Sequence, residues 1–451
     1  MALPPDDLAT CLRVLQAIAD DPSQISDHHR LKTLIAKINR QGRKLERRSE
    51  RAAHQRHDRE LTESTGIVAQ TQPASALPAP AGQTLAIARR CYICKQPFTE
   101  LHFFYHQLCP DCAGLNYAKR LQRADLSGRI ALVTGGRIKI GYQLALRLLR
   151  DGAQVIVTTR FARDAARRFS AEPDAAEWRD RLTVYALDLR DVAAVEAFAG
   201  HLLASLPALD ILINNAAQTI KRPLEFYRDL LRHEEAGPLL PEAAERLLAA
   251  ARPAALPEQN PAYPRDAGLA RYFPAGLLDR DGQPLDLRPA NSWVLKLDEV
   301  SALELLEVQL VNVVAPFLLA GQLKPLLCRS RFARRFVVNV SAMEGQFNRR
   351  TKTVFHPHTN MAKAALNMLT RTSAADYAAD GIWMNSVDTG WITDEKPHER
   401  KVRHQADQGF YPPLDEIDGM ARIYDPVVRG IQAPDEPWYG HFLKDFVPYA
   451  W

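Results

Sequence analysis

Ile130-Ala131-Leu132-Val133-Thr134-Gly135-Gly136-Arg137-Ile138-Lys139-Ile140-Gly141 is the stretch that decides how this chain folds. A short apolar run, a glycine turn and a helical pattern over Tyr142–Arg150 make a strand, a loop and a helix start. Backbone N–H groups at such a helix N-terminus, together with the helix dipole, form an anion site suited to a pyrophosphate. Working outward, the spacing predicts strands at Gln154–Thr158, Leu182–Leu187 and Leu209–Ile213, with helices at Ala162–Phe169 and Val192–Leu203 between them. The alternation breaks over 218–300, which is rich in Pro, Ala, Leu and Arg. It resumes with a helix at 301–324, a strand at Phe336–Val340, a helix at 361–379 and a strand at 382–387. Strands alternating with helices read as an α/β fold, a doubly wound parallel sheet of the Rossmann type.

Further stretches of residues 126–395 give this alternation a family resemblance. Thr134, Gly135 and Gly141 match Thr-Gly-x-x-x-Gly-x-Gly, with Lys139 at the middle glycine. Asn214-Asn215-Ala216-Ala217 resembles Asn-Asn-Ala-Gly, and Asp188-Leu189 resembles the pair that holds an adenine ring. Asn312, Asn339-Val340-Ser341-Ala342 and Lys363-Ala364-Ala365-Leu366 fall where catalytic motifs are expected. Asn385-Ser386-Val387-Asp388-Thr389-Gly390-Trp391-Ile392-Thr393 resembles the Pro-Gly segment beside the nicotinamide. Together these resemble the short-chain dehydrogenase/reductase family. The resemblance implies a nicotinamide dinucleotide held by Thr134, Gly135, Arg137, Ile140, Gly141, Arg160, Asp188, Leu189, Asn214, Ala216, Lys363 and Thr393. Trp438–Lys444 resembles the family's last strand.

Charge bears on the cofactor. The second strand ends in Thr158-Thr159-Arg160, without the acidic residue that would bind a 2′-hydroxyl and repel a 2′-phosphate. Arg160 and Arg137, with Arg163 nearby, suit the phosphate of NADP; NAD, with Arg160 a solvated residue at the helix start, is the alternative.

The catalytic set departs from the family's. Asn312 and Lys363 are kept, but four residues before Lys363 stands Thr359, not a tyrosine, and an aliphatic hydroxyl is too weak an acid to replace a phenol. The catalytic serine aligns with Ala342, leaving Ser341 at the preceding place unless the loop shifts by one residue. His358, with His356 and Glu344 behind it, is the candidate replacement acid, because histidine titrates near neutrality. Both histidines also read simply as a polar loop before a helix. The function expected is an NADP(H)-dependent oxidoreductase acting on a carbonyl or alcohol. The alternative is a redox-inactive sensor or scaffold that binds a dinucleotide.

Four of six cysteines form Cys91-x-x-Cys94 and Cys109-x-x-Cys112, a spacing that suits four thiolates around one structural Zn²⁺. His102 and His106 lie in the intervening loop as substitute ligands. Cys11 and Cys328 read as core residues. The expected organisation is a helical, basic segment over 1–62, a linker over 63–89, the cysteine module over 90–118, and the dehydrogenase-like domain over 119–451 with its insertion. That insertion is expected to cover the active site, with Trp293, Tyr272 and Phe273 as contacts. Lys37–Arg59 is strongly basic: a surface for nucleic acid or an acidic protein, or a solvated helix face. The net charge of +5 is modest. Without an apolar run near 18 residues or a leader pattern, the expectation is a cytoplasmic protein with no membrane partner. Its other expected partners are a small-molecule substrate and further copies of the chain.

Overall fold

The computed structural model describes residues 4–26, 28–70, 82–236, 240–249, 267–349, 352–433, 435 and 438–451. The N-terminal helices are α1 (Pro5–Asp20) and α2 (His29–Glu63). They are followed by β1 (Gln83–Arg90), β2 (Pro97–Leu101) and α3 (Pro110–Leu121). Then come β3 (Ile130–Thr134), α4 (Lys139–Arg150), β4 (Gln154–Thr159), α5 (Ala162–Ser170), β5 (Leu182–Ala186), α6 (Val192–Ser205) and β6 (Ile211–Asn214). The insertion contributes α7 (Leu224–Ala236). The chain continues through α8 (Ala302–Cys328), β7 (Arg335–Ser341), α9 (Pro357–Ala379) and β8 (Ile382–Asp388). It ends with α10 (His398–Gln408), α11 (Glu416–Gln432), β9 (Phe442–Lys444) and β10 (Val447–Tyr449).

Eight strands form one sheet in the order β10-β9-β8-β7-β6-β3-β4-β5. All neighbours are parallel except β10, which returns antiparallel along the β9 edge. Alternate residues feed opposite cores, as the two-residue repeat of a strand requires. Ala131 and Val133 pack with α4, α5 and α11 on one side. Ile130 and Leu132 pack with α6, α8 and α9 on the other. This is the expected doubly wound sheet. Crossover helices cover both faces, so its strands read as near-continuous apolar runs. α8 is long and apolar enough to cross a membrane by length and composition. Here its Leu319, Leu323, Leu326 and Leu327 are packed beneath the sheet.

β1 and β2 pair antiparallel. β1 starts at Gln83, inside the segment read as a linker; residues 71–81 of that segment lie outside the described residues. The C-terminal turn of α2 is docked to β1, where the Asp58 carboxylate accepts the N–H groups of Ala86 (2.7 Å) and Ile87 (3.1 Å). The apolar core under the cysteine module includes Leu85, Phe98, Tyr105 and Leu108, and also Ile392 and Leu414 from the large domain. Cys11 and Cys328, read as core residues, are both exposed.

Candidate functional site

The C-terminal ends of the parallel strands open on a cleft of about 1070 Å³. In an open α/β sheet this is the edge where ligands bind. One side is the turn between β3 and α4. The Thr134 hydroxyl accepts the N–H groups of Asn215 and Ala216, both at 3.0 Å, and so ties β3 to the end of β6. Gly135 has φ +69°, and a Cβ there would lie 2.9 Å from the Ala216 Cα. A Cβ on Gly141 would strike the Gly135 carbonyl oxygen. Lys139 keeps the backbone shape of the glycine it stands for, with φ +55°. Left-handed backbone costs an L-residue about 1–2 kcal/mol, so the turn is held against that cost with a side chain present. The dinucleotide cradle is therefore intact in backbone terms.

At the far end of this turn the arginines are engaged. Arg137 is buried, donating to Asp164 (2.7 Å) and to Gln283 of the insertion (2.7 Å). Arg160 donates to the Tyr227 hydroxyl at 2.9 Å and lines the cleft. Glu234 accepts the N–H groups of Arg163 and Asp164 at the start of α5. Asp188 lines the cleft beside Leu189. Burial works against its charge, but Arg190 and Arg160 hold the carboxyl below the ordinary carboxylate range.

The other end of the cleft holds the departed catalytic set. Thr359, four residues before Lys363 on α9, lines the cleft with a buried hydroxyl that has no hydrogen-bond partner among the described residues. Lys363 donates to the Val340 carbonyl at 2.8 Å, and burial pushes its ammonium down to about 8 against the pull of Glu344 and Asp388. Ser341 and Ala342 both line the cleft, and the buried Ser341 hydroxyl donates to Asn367 at 2.6 Å. Asn312 lies in a π-turn, Leu310–Val314, within α8. Its amide pins Gln218, accepting that residue's N–H at 2.7 Å and donating to its carbonyl at 3.2 Å. Thr393 lines the cleft and donates to Glu395 at 2.6 Å. Asn214 is buried behind the cleft, donating to Asn339 at 2.8 Å. Glu344 lines the cleft and accepts from Arg349 at 2.9 Å.

His358 corrects the sequence reading. It faces away from the cleft, its Nε2 3.4 Å from Glu304 on α8, because the helical turn that aims Thr359 inward aims its neighbour outward. His356, at φ +43°, stacks on Trp293 at 4.0 Å and does not line the cleft. Trp293 itself does, together with Arg222, Phe226, Tyr227 and Gln283, so the insertion forms one wall. Phe273 is instead packed within the insertion against Phe226, and Tyr272 lies beside Arg271.

Asp388 and Tyr92 are among the cleft residues that had no assigned role in the sequence reading. Asp388 ends β8 opposite Ser341 and accepts the Met343 N–H at 3.2 Å. Burial pushes its carboxyl up to about 6; Asp445 and Glu344 push the same way, while Lys444 and Arg422 oppose them. A carboxyl at the end of a fully buried strand was the available signal, since such a group is costly to bury. Tyr92, inside the first cysteine pair, also lines the cleft; nothing in the local sequence ties it to residues near 390.

The four cysteine sulfurs lie within 4.8 Å of one another, with Cys94 and Cys109 at 3.7 Å. Zn–S bonds of about 2.3 Å in a tetrahedron put sulfurs about 3.8 Å apart, so the donor set fits zinc. Backbone N–H groups of Cys109, Cys94 and Ile93 reach the Cys91 sulfur. His102 accepts from the Phe104 N–H and His106 is buried against Tyr411, so neither joins the sulfurs.

Fold and site together define a nucleotide-binding oxidoreductase architecture. The family model described as short chain dehydrogenase matches residues 129–230, and that described as Enoyl-(Acyl carrier protein) reductase matches 292–409. The chain belongs to the short-chain dehydrogenase/reductase family. It is 35% identical over 356 residues to an uncharacterized protein of Acanthamoeba polyphaga mimivirus, covering 75% of this chain and 71% of that one. It is 39% identical over 133 residues to dehydrogenase/reductase SDR family member 13 of Bos taurus, covering 29% of this chain and only 33% of the relative. A solved short chain dehydrogenase from Burkholderia cenocepacia in complex with NADP is 20% identical, with a TM-score of 0.45 over 71% of this chain and 97% of that one.

Proposed function

We propose that this protein is an NADP(H)-dependent oxidoreductase of a carbonyl or alcohol in which Asp388 carries the proton that a tyrosine carries elsewhere in the family. The observation behind this reading is that one cleft joins the glycine turn and Arg160 at one end to Lys363, Asp388 and Thr359 at the other. The bound dinucleotide would supply or accept hydride. Gly135 and Gly141 let backbone approach its pyrophosphate, and Arg160 meets the 2′-phosphate. Lys363 binds the ribose and keeps positive charge near the reacting oxygen. In the reductive direction the Asp388 carboxyl gives its proton to that oxygen as negative charge develops there, and is left as carboxylate. Its neighbour Lys363 stabilises that charge. The same reading includes one Zn²⁺ on Cys91, Cys94, Cys109 and Cys112, a closed site that staples the module, and a reducing, cytoplasmic setting for those thiolates.

One observation favours a second reading, a redox-inactive dinucleotide sensor or scaffold: the Ser341 hydroxyl is committed to Asn367. Fluorescence titration with NADPH and NADH, followed by NADPH oxidation with a panel of aldehydes and ketones, tests the main proposal. Tighter binding of NADPH and turnover lost in Asp388→Asn are expected. Binding of neither nucleotide overturns both readings. Full turnover in Asp388→Asn overturns the assigned role.

A further inference from the structure

The cysteine module and the dinucleotide turn are separate in sequence, yet both reach the same cleft. Tyr92 lies between Cys91 and Cys94, and its backbone N–H is fixed to the Gln107 carbonyl at 2.8 Å. From that knuckle its side chain enters the cleft, where Ile93 and Lys95 follow it. The phenol oxygen accepts the Trp391 N–H at 3.0 Å. Trp391 follows Gly390, which turns the chain out of β8 at φ +79°. A Cβ on Gly390 would press into Leu414 and come within 3.6 Å of the Tyr92 oxygen, so the phenol sits over the turn itself.

The knuckle is held on every side. Cys91 is buried, and Lys95 closes the loop in left-handed backbone at φ +63°. Ile392 and Leu414, which flank the Gly390–Trp391 turn, belong to the module's own core. α3 is bolted to α11 through Arg120 and Asp415 (3.0 Å) and through Arg422 and Asn116 (2.8 Å). The N–H of Trp391 lies beyond the last residue of β8, so the sheet ladder does not extend to it; the phenol serves as its acceptor. The contact lies on the exposed side of the cleft, so its loss frees the turn rather than stranding a buried donor.

We propose that the cysteine module is part of the active site, its first knuckle positioning Tyr92 so that the phenol fixes the Gly390–Trp391 turn beside Lys363 and Asp388. This inference rests on the dinucleotide reading above. Tyr92 is a positioning residue: it acts on the cleft through the turn. Loss of the metal loosens the knuckle, then the turn, then the hydride end of the cleft, while the adenine end is held by β3, β4 and α4.

Two probes separate the ends: NADPH, and 2′-phospho-ADP-ribose, which lacks the nicotinamide. Tyr92→Phe keeps the ring and the metal ligands and removes only the acceptor. In the full-length chain it is expected to weaken NADPH on the order of tenfold, with unchanged affinity for 2′-phospho-ADP-ribose and unchanged zinc by elemental analysis. Cys109→Ser, depleted of zinc, is expected to show the same asymmetry. NADPH affinity in Tyr92→Phe equal to that of the unaltered chain, or equal weakening of both probes, overturns this inference alone. An unaltered chain that binds neither probe overturns the dinucleotide reading and this inference with it.

Discussion

Arg137 and Asp164 form a buried ion pair at 2.7 Å, and the Asp164 carboxylate also takes Arg167 and Arg168. Arg137 is thereby spent on structure, joining the coenzyme turn to α5 and, through Gln283, to the insertion. Of the two arginines expected to select NADP, Arg160 lines the cleft while bonded to the neutral Tyr227 hydroxyl, not to a carboxylate as Arg137 is. Arg160→Asp is expected to lower NADPH affinity at least tenfold and to make NADH the better ligand. Arg137→Ala should instead act on stability, by about 1.5–3 kcal/mol, because it removes one of three arginines from a buried carboxylate and the partner of Gln283. Calorimetry with both nucleotides and urea unfolding of each variant check this; an unchanged NADPH preference in Arg160→Asp would refute it.

Asp388 gives a pH signature. Its carboxyl is pushed from 3.8 up to about 6, so the folded state favours the protonated form. Stability from this group is complete below about 4 and is lost as pH rises through 6. A shift of this size corresponds to roughly 1–3 kcal/mol. Asp388→Asn, which cannot ionise, should match the unaltered chain near pH 4 and exceed it above pH 6. Urea midpoints across pH 4–8 measure the difference. A constant gap over that range would show that the carboxyl is not destabilised when charged.

His358 gives the opposite kind of test. It lies beside Glu304, both buried, outside the cleft. His358→Leu removes this contact from Glu304, which keeps Ser292, and should cost about 1–3 kcal/mol, with NADPH affinity within twofold of the unaltered chain. A loss of nucleotide binding without a loss of stability would return His358 to the site.

These outcomes mark what the sequence made legible. The doubly wound sheet was readable because fully buried parallel strands leave short apolar runs between helical repeats, as at Ile130–Val133. The glycine turn was readable because Gly135 and Gly141 have no room for a Cβ. Side-chain direction was not. His358 and Thr359 are adjacent, and only the roll of α9 decides which faces the cleft. Commitment to partners was equally hidden: Arg137 to Asp164, Ser341 to Asn367. Contacts such as Tyr92 with Trp391 arise from packing between elements nearly 300 positions apart and leave no local trace. β1 went unread because its apolar residues fall at the edge of a proline-rich stretch.

The cysteine cluster predicts about one Zn²⁺ per chain. Chelation, or Cys109→Ser, should loosen residues 83–121 first, seen as faster amide exchange there, while β3, β4 and β6 keep their protection. Zinc-free protein with unchanged exchange across the module would remove the metal from the account.

The most direct test of the central claim is a crystal structure of the NADP(H) complex, read for the surroundings of the hydride-carrying carbon. That carbon is expected to face an open space with the Asp388 carboxyl within hydrogen-bond reach of a carbonyl oxygen placed there, Lys363 on the ribose and the Gly390–Trp391 turn alongside. A nicotinamide whose hydride face is closed off by side chains, or an Asp388 carboxyl turned away from it, would contradict the oxidoreductase reading.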